Sequence, residues 1–357
     1  MAKIVFTGGG TAGHVTPNIA LMNRIRELCP DTEFHYIGSN DGIEKDIISK
    51  YPEVTFHTIR TGKLRRYFSL KNFTDPFRVI AGCGDAKRLM KMLKPDAVFS
   101  KGGFVAVPVV YAAEKCKVPV LSHESDITPG LANKLSARYA DKICVTFPDT
   151  LKNLPKDKGI FTGTPIRKEL FSGNADRARA ALGFDLKPVL LVMGGSAGSV
   201  AVNKAIRGNL EALTAQFNII HLCGKGKMEV GLDTSSYRQF EFVSEELPDY
   251  LALSELIISR AGSNAIHEFL ALKKPMLLIP LPLSASRGDQ ILNAQSFEAR
   301  GFARVLNEED VTEETLLASI HQVREDSHAM RAAMENAENS DGTETIAKMI
   351  LKEAGIE

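Results

Sequence analysis

Short apolar runs alternate with longer amphipathic stretches along the whole chain. Runs at Ile4–Thr7, Glu33–Ile37, Thr55–Ile59, Ala97–Phe99, Val118–Leu121 and Lys142–Val145 predict strands in the first half. A second series follows at Val189–Met193, Asn218–Leu222, Phe240–Val243, Leu256–Ile258, Met276–Ile279 and Ala303–Leu306. Most are near-continuous apolar runs, the mark of strands buried on both faces of a parallel sheet. Between them apolar residues recur at helical spacing, as Leu21, Ile25 and Leu28 do, so helices should cover both faces. A last amphipathic stretch, from about residue 342, carries Ile346, Met349 and Ile350. The pattern predicts an α/β protein.

The two series open alike. Gly9-Gly10-Thr11-Ala12-Gly13-His14-Val15 recurs 185 residues later as Gly194-Gly195-Ser196-Ala197-Gly198-Ser199-Val200. The register holds further on, with Asn18 falling on Asn203 and Ala20 on Ala205. Strand, glycine loop, helix is the opening unit of a nucleotide-binding α/β domain, so two Rossmann-like domains in tandem are expected. Their boundary should lie near Gly163-Thr164-Pro165, where proline restricts the residue before it. That gives domains of residues 1–163 and 164–341.

Charge changes this picture more than composition does. The 357 residues include 44 basic and 43 acidic side chains, a balance of +1. Through Gly163 there are 24 basic and 16 acidic residues, and after it 20 and 27. A net of +8 against −7 points to a charged surface or ligand on one side. The five cysteines form no C-x-x-C pair, which fits thiols in a reducing compartment and no zinc framework. The N-terminus lacks an export signal's basic and apolar regions, and the longest apolar run, Phe104–Ala113, is ten residues against the about 20 needed to span a bilayer.

Glycine loops let backbone N–H groups approach a ligand, and the following helix adds partial positive charge, so both loops suit phosphate. Gly8-x-Gly10-x-x-Gly13 also matches the dinucleotide fingerprint. A nicotinamide enzyme would need an acidic residue after the second strand, where Ile37-Gly38-Ser39-Asn40 stands, and Met193 takes the first glycine position of the second copy. Chemistry enters where the copies differ: His14 in the first is Ser199 in the second. Thr16-Pro17 reads as a helix cap followed by a first-turn proline, placing His14 just ahead of a helix start. There an imidazole stays neutral and accepts a proton, or it simply hydrogen-bonds the loop.

The signature Gly9-Gly10-Thr11-Ala12-Gly13-His14-Val15-x-Pro17 resembles that of the bacterial peptidoglycan glycosyltransferases that make lipid II. The resemblance continues through Gly102-Gly103-Phe104-Val105-x-x-Pro108, His123-Glu124, Gly130-Leu131-x-Asn133-Lys134 and Gly163-x-Pro165-x-Arg167. It then runs through Gly194-Gly195-Ser196-x-Gly198, Arg260-Ala261-Gly262, Glu268 and Asp289-Gln290-x-x-Asn293-Ala294, nearly the whole chain. It implies the glycosyltransferase B fold, two Rossmann-like domains facing a cleft, with residues 342–357 returning to the first. It also implies transfer of N-acetylglucosamine from UDP-N-acetylglucosamine to the 4-hydroxyl of the muramoyl sugar of lipid I, with inversion.

The resemblance assigns the C-terminal domain to the donor and the N-terminal domain to the lipid acceptor. It makes His14 the general base. It gives the donor Thr11, Ala12, Gly13, Asp126, Arg167, Ser196, Val243, Glu268, Asp289 and Gln290. Within this set Ser196 and Arg167 would stabilise the departing diphosphate, Glu268 the ribose, and the backbone at Val243 the uracil. Glu268, read into the first turn of a helix opening near Asn264, would also favour the helix dipole. The acceptor side would use Phe104, His123 and Glu124. Several family members carry Gln-Asn where this chain has Ser125-Asp126, and tyrosine where it has Phe104. No Asp-x-Asp occurs, so no motif implies a divalent metal, and no cofactor is expected beyond the donor.

Between Arg60 and Lys94 ten basic residues meet only Asp75 and Asp85. Lys63, Arg65, Arg66, Phe73 and Phe77 lie in this segment, whose basic and aromatic mixture suits an anionic lipid surface or a solvated helix with aromatics turned inward. A lipid-linked acceptor favours the first use. No RNA-binding motif accompanies the segment, so no nucleic-acid partner is expected. The expected location is peripheral, on the cytoplasmic face of the cell membrane, with other cell-wall enzymes as a further class of partner. The rivals are a glycolipid synthase or UDP-N-acetylglucosamine 2-epimerase of the same fold, and a non-catalytic subunit that binds sugar nucleotide and recruits a partner to the membrane.

Overall fold

The computed structural model describes residues 2–62, 71–195 and 198–356, apart from the side chains of 71–76. It divides into one unit of Met1–Arg167 with Asp341–Glu357 and another of Lys168–Ser340.

The first unit is built on strands β1 (Lys3–Thr7), β2 (Glu33–Ser39), β3 (Val54–Ile59), β4 (Ala97–Ser100), β5 (Val120–Glu124), β6 (Lys142–Val145) and β7 (Gly159–Phe161). They lie in the order β3-β2-β1-β4-β5-β6-β7, every pair parallel. Successive side chains of a strand point to opposite faces. Accordingly Ile4 and Phe6 enter one core with Leu21, Met22 and Ile25, while Val5 enters the other with Val98, Val109 and Val120. The helix Thr343–Glu353 closes the first core, burying Ile346, Ala347 and Ile350 at helical spacing, and Arg24 of the helix Thr16–Leu28 pairs with Glu344 at 2.5 Å. Burial of each isoleucine contributes about 1.5–3 kcal/mol to that docking.

The second unit carries β8 (Val189–Met193), β9 (Asn218–Leu222), β10 (Tyr237–Phe240), β11 (Leu256–Ser259), β12 (Met276–Leu278) and β13 (Ala303–Val305). Their order is β10-β9-β8-β11-β12-β13, again parallel. Both sheets therefore reverse their strand order beside the first strand of the unit, between β1 and β4 and between β8 and β11. Ligands of open α/β sheets bind outside the carboxyl ends of strands at such a reversal.

Three local expectations are corrected. The strand expected at Phe240–Val243 is β10, three residues earlier, because Phe240 already pairs with Leu222, the last residue of β9. Val243 thus follows a strand instead of ending one. Glu268 sits in the second turn of the helix Ser263–Ala271, not the first, which removes its dipole role. Thr16 is not a cap: it begins the helix, and its hydroxyl turns back to the carbonyl of Ala12. Among the described residues no helix is long and apolar enough to cross a membrane.

Candidate functional site

In the first unit the loops after β1 and β4 meet backbone to backbone. Gly103 has φ of 86°, and a Cβ there would overlap the carbonyl oxygen of Gly9, so a side chain would force the two loops apart. Glu44, fully buried, ties the first loop down. Its carboxylate accepts from the N–H of Gly10 at 3.2 Å and of Ser39 at 2.9 Å, and from the Ser39 hydroxyl at 2.5 Å. The Gly10 N–H is thereby committed to an anion of the protein itself. A dinucleotide fingerprint needs such amides for pyrophosphate, so this loop is built for something else.

Thr11 follows, then a short 3-10 turn, Ala12–His14, that delivers His14 directly ahead of the helix Thr16–Leu28. The imidazole Nδ1 lies 3.0 Å from the Thr11 hydroxyl. Its pKa is pushed down to about 4, by desolvation first and the Lys101 ammonium second, against the Gly9 backbone and Glu44. A neutral imidazole keeps one acceptor nitrogen, so near pH 7 the ring can take a proton.

Behind His14 lies a buried polar cluster. Lys101, the residue after β4, is 1% exposed; its Nζ donates to His123 Nδ1 at 2.8 Å and to the Ser125 hydroxyl. His123, fully buried at the end of β5, is held by its Nε2 to the carbonyl of Gly163 at 3.0 Å. Glu124 accepts from the N–H groups of Asp126 (2.9 Å) and Gly130 (3.2 Å) and from Asn133 (2.7 Å). Burial first, then Asp126, raises its pKa to about 7. His123 and Glu124 thus shape the loop from inside, whereas Asp126 is half-exposed. Phe104 is half-buried against Gly10 and joins Asn40, Arg60, Arg78 and Arg88 around a pocket of about 770 Å³. Arg167, half-exposed, closes this unit, and the neighbouring Ile166 N–H is fixed by the Thr343 hydroxyl at 2.8 Å.

The second unit repeats the plan with different chemistry. Ser196 lies outside the described residues. Ser199, at the position of His14, caps the helix Val200–Gly208 by accepting from the Val202 N–H at 3.3 Å. Arg260, buried after β11, donates to Ser199 Oγ at 2.6 Å, to the carbonyls of Ile279 (3.0 Å) and Pro280 (3.1 Å), and to Glu308. One guanidinium therefore joins the loops after β8, β11 and β12. Val243 follows β10 with its side chain buried, and Glu268 is half-buried on the helix Ser263–Ala271. Asp289 and Gln290 open the helix Asp289–Ala299, where Gln290 Oε1 accepts from the Leu281 N–H at 3.1 Å.

The donor and acceptor candidates among the described residues fall at the carboxyl ends of strands, as His123 and Glu124 of β5 do, on the loops beyond them or on the helices that follow, with Arg167 near the close of the first unit's main segment. The motifs flag Arg260 without a role, and Lys101 and Glu44 carry no sequence signal, since a lone charged residue beside a glycine loop or in a charged stretch such as Asp41–Asp46 reads as solvated. Lys63, Arg65 and Arg66 lie outside the described residues, as does the Phe73 side chain. Phe77 is exposed.

Two parallel α/β units, each with a glycine loop at its strand-order reversal, make up the glycosyltransferase B fold. The chain belongs to glycosyltransferase family 28: residues 4–145 match the "Glycosyltransferase family 28 N-terminal domain" and residues 189–350 the "Glycosyltransferase family 28 C-terminal domain". It is 54% identical over 352 residues, 98% of each chain, to the UDP-N-acetylglucosamine–N-acetylmuramyl-(pentapeptide) pyrophosphoryl-undecaprenol N-acetylglucosamine transferase of Clostridium tetani. A protein of the same name from Lachnospira eligens is also 54% identical, covering 98% of this chain and 99% of its own. Among solved structures, Acinetobacter baumannii MurG superposes with a TM-score of 0.78 at 25% identity, covering 99% of this chain and 100% of the other. A Neisseria meningitidis UDP-GlcNAc 2-epimerase, at 0.65 and 14% identity over 99% of this chain and 100% of its own, shares the fold alone.

Proposed function

We infer that this chain transfers N-acetylglucosamine from UDP-N-acetylglucosamine to the 4-hydroxyl of the muramoyl sugar of lipid I, inverting the anomeric carbon and forming lipid II. The observation that carries the reading is 54% identity over 98% of the chain to a transferase named for that reaction. In this reading the acceptor hydroxyl attacks C1 of the donor sugar while His14 takes its proton. The bond from C1 to the β-phosphate oxygen breaks, and UDP leaves with the electron pair. Negative charge grows on the diphosphate, and Arg167 with the amides leading into the helix Val200–Gly208 supports it. Glu268 holds the ribose, Val243 offers backbone groups to the uracil, and Asp289, Gln290 and Asp126 read the sugar and diphosphate. The purified protein should release UDP from UDP-N-acetylglucosamine only when a lipid I analogue is present. UDP release at an equal rate without acceptor, or appearance of the 2-epimer, would contradict this reading.

A lipid-linked acceptor supports the reading that the enzyme works as a peripheral protein at the cytoplasmic face of the cell membrane. Support comes from the helix Lys71–Leu93, on which Phe77 (73% exposed) and Ile80 (69%) stand beside exposed Arg78, Lys87, Arg88 and Lys91. Large apolar side chains turned to water next to cations suit insertion at an anionic headgroup layer. Burial of a phenylalanine is worth about 1.5–3 kcal/mol, so Phe77→Glu with Ile80→Glu should weaken binding to phosphatidylglycerol-containing vesicles by about tenfold or more. Unchanged co-sedimentation would return these residues to ordinary surface.

A further inference from the structure

Lys101 is a buried cation that the reaction scheme above leaves without a task. It follows β4 at the strand-order reversal of the first unit, and its N–H continues the β1 pairing by donating to the Thr7 carbonyl at 2.9 Å. Its stem passes close to the glycine loop. A Cβ at Gly8 would stand 3.2 Å from Lys101 Cβ and 2.5 Å from the carbonyl oxygen of His14, so glycine at position 8 is what lets the two come together. At the other end the ammonium donates to His123 Nδ1 at 2.8 Å and to Ser125 Oγ at 2.5 Å. The His123 Nε2–H is committed to the Gly163 carbonyl at 3.0 Å, which makes Nδ1 the acceptor. One side chain thus connects the loop that carries His14 with the turn that carries Ser125 and Asp126.

We propose that Lys101 is a positioning residue for the transfer: its buried ammonium anchors the Ser125–Asp126 turn and sets a positive charge beneath His14. The proposal deepens the reading of His14 as base and Asp126 as donor contact, and rests on it. A carboxylate at 126 gains from this buried counter-charge, which an amide there would not.

The groups that face Lys101 are Glu124, Asp126 and Cys144, which oppose the downward pull of burial on its pKa, to about 7. Those that face His14 are Lys101, Glu44 and the Gly9 backbone, with Thr11 at its Nδ1. Below pH 7 Lys101 is therefore protonated over the whole range in which His14 would titrate. Its charge opposes the imidazolium, so removing it raises the His14 midpoint.

The test is an NMR titration of the histidine-labelled full chain, with His14 identified by its loss in His14→Gln. Lys101→Met, which keeps the stem and removes the charge, should raise the His14 midpoint by about half a pH unit or more. Lys101→Gln, which retains a donor for His123 and Ser125, should give the same shift and covers the case in which the methionine variant fails to fold. A midpoint unchanged or lowered in the folded variant overturns the charge role. Anchoring is read separately at pH 6, where Lys101 is charged and His14 is neutral: Lys101→Met should lower kcat/KM about tenfold, and adding Asp126→Asn should recover part of that loss. Strictly additive losses overturn it. The titration needs no substrate, so a failed transfer assay sinks the function and leaves this result standing, and the reverse also holds.

Discussion

His14→Ala lowers kcat by about 10²–10⁴-fold while the affinity for UDP-N-acetylglucosamine stays within about twofold. The size follows from the loss of a positioned proton acceptor, and the selectivity from its role, since the imidazole acts on the acceptor hydroxyl and is not among the groups assigned to the donor. The accompanying pH profile is equally specific. A base works only when deprotonated, and His14 has its pKa pushed down to about 4, so acceptor-dependent turnover should fall only as pH drops through that region. An ordinary histidine would lose activity near pH 6.5. Steady-state rates from pH 4 to 8, with binding measured separately by calorimetry, decide the matter. Unchanged turnover in His14→Ala removes it as base.

Arg260→Met destabilises the second unit by about 3 kcal/mol and weakens UDP binding by tenfold or more. The buried guanidinium serves four acceptors on three segments, Ser199, Ile279 with Pro280, and Glu308. Methionine fills the stem's space and leaves the carbonyls and the carboxylate without their donor. The helix cap at Ser199 then loses the partner that fixes its hydroxyl, and that helix follows directly on the second glycine loop. Hydrogen exchange of β8 and β11 should quicken relative to β1 and β4. Protection within a few-fold of the parent protein in all four strands would show that the guanidinium is dispensable.

Much of the fold was legible because strands buried on both faces leave near-continuous apolar runs. Lys142–Val145, Val189–Met193 and Asn218–Leu222 coincide with β6, β8 and β9 for that reason. The three-residue edge strand β7, Gly159–Phe161, is only half-buried and leaves no such run. At β10 the apolar Phe240, Phe242 and Val243 suggested a later strand, yet Phe242 is 75% exposed because β9 offers no further partner. In the candidate site the glycine loops and His14 stood out by repetition, and the difference between His14 and Ser199 marked where one copy carries an imidazole and the other a cap. Lys101 and Glu44 were illegible, and Arg260 was marked by the family motif without its role. Each is a charged side chain whose burial depends on partners more than 20 residues away or on a loop it closes upon, and no local pattern encodes that. The charge asymmetry was legible only as a sum; in the described residues it becomes a helix that exposes Phe77 and Ile80 among arginines and lysines.

The most direct measurement of the whole account supplies radiolabelled UDP-N-acetylglucosamine and a lipid I analogue to the purified enzyme and identifies the product. The expected result is label in a lipid-linked disaccharide, joined through the 4-hydroxyl of the muramoyl sugar by a β linkage, with one UDP released per sugar transferred. Label that stays in free sugar, moves to the 2-epimer, or enters the lipid with retained configuration would contradict it.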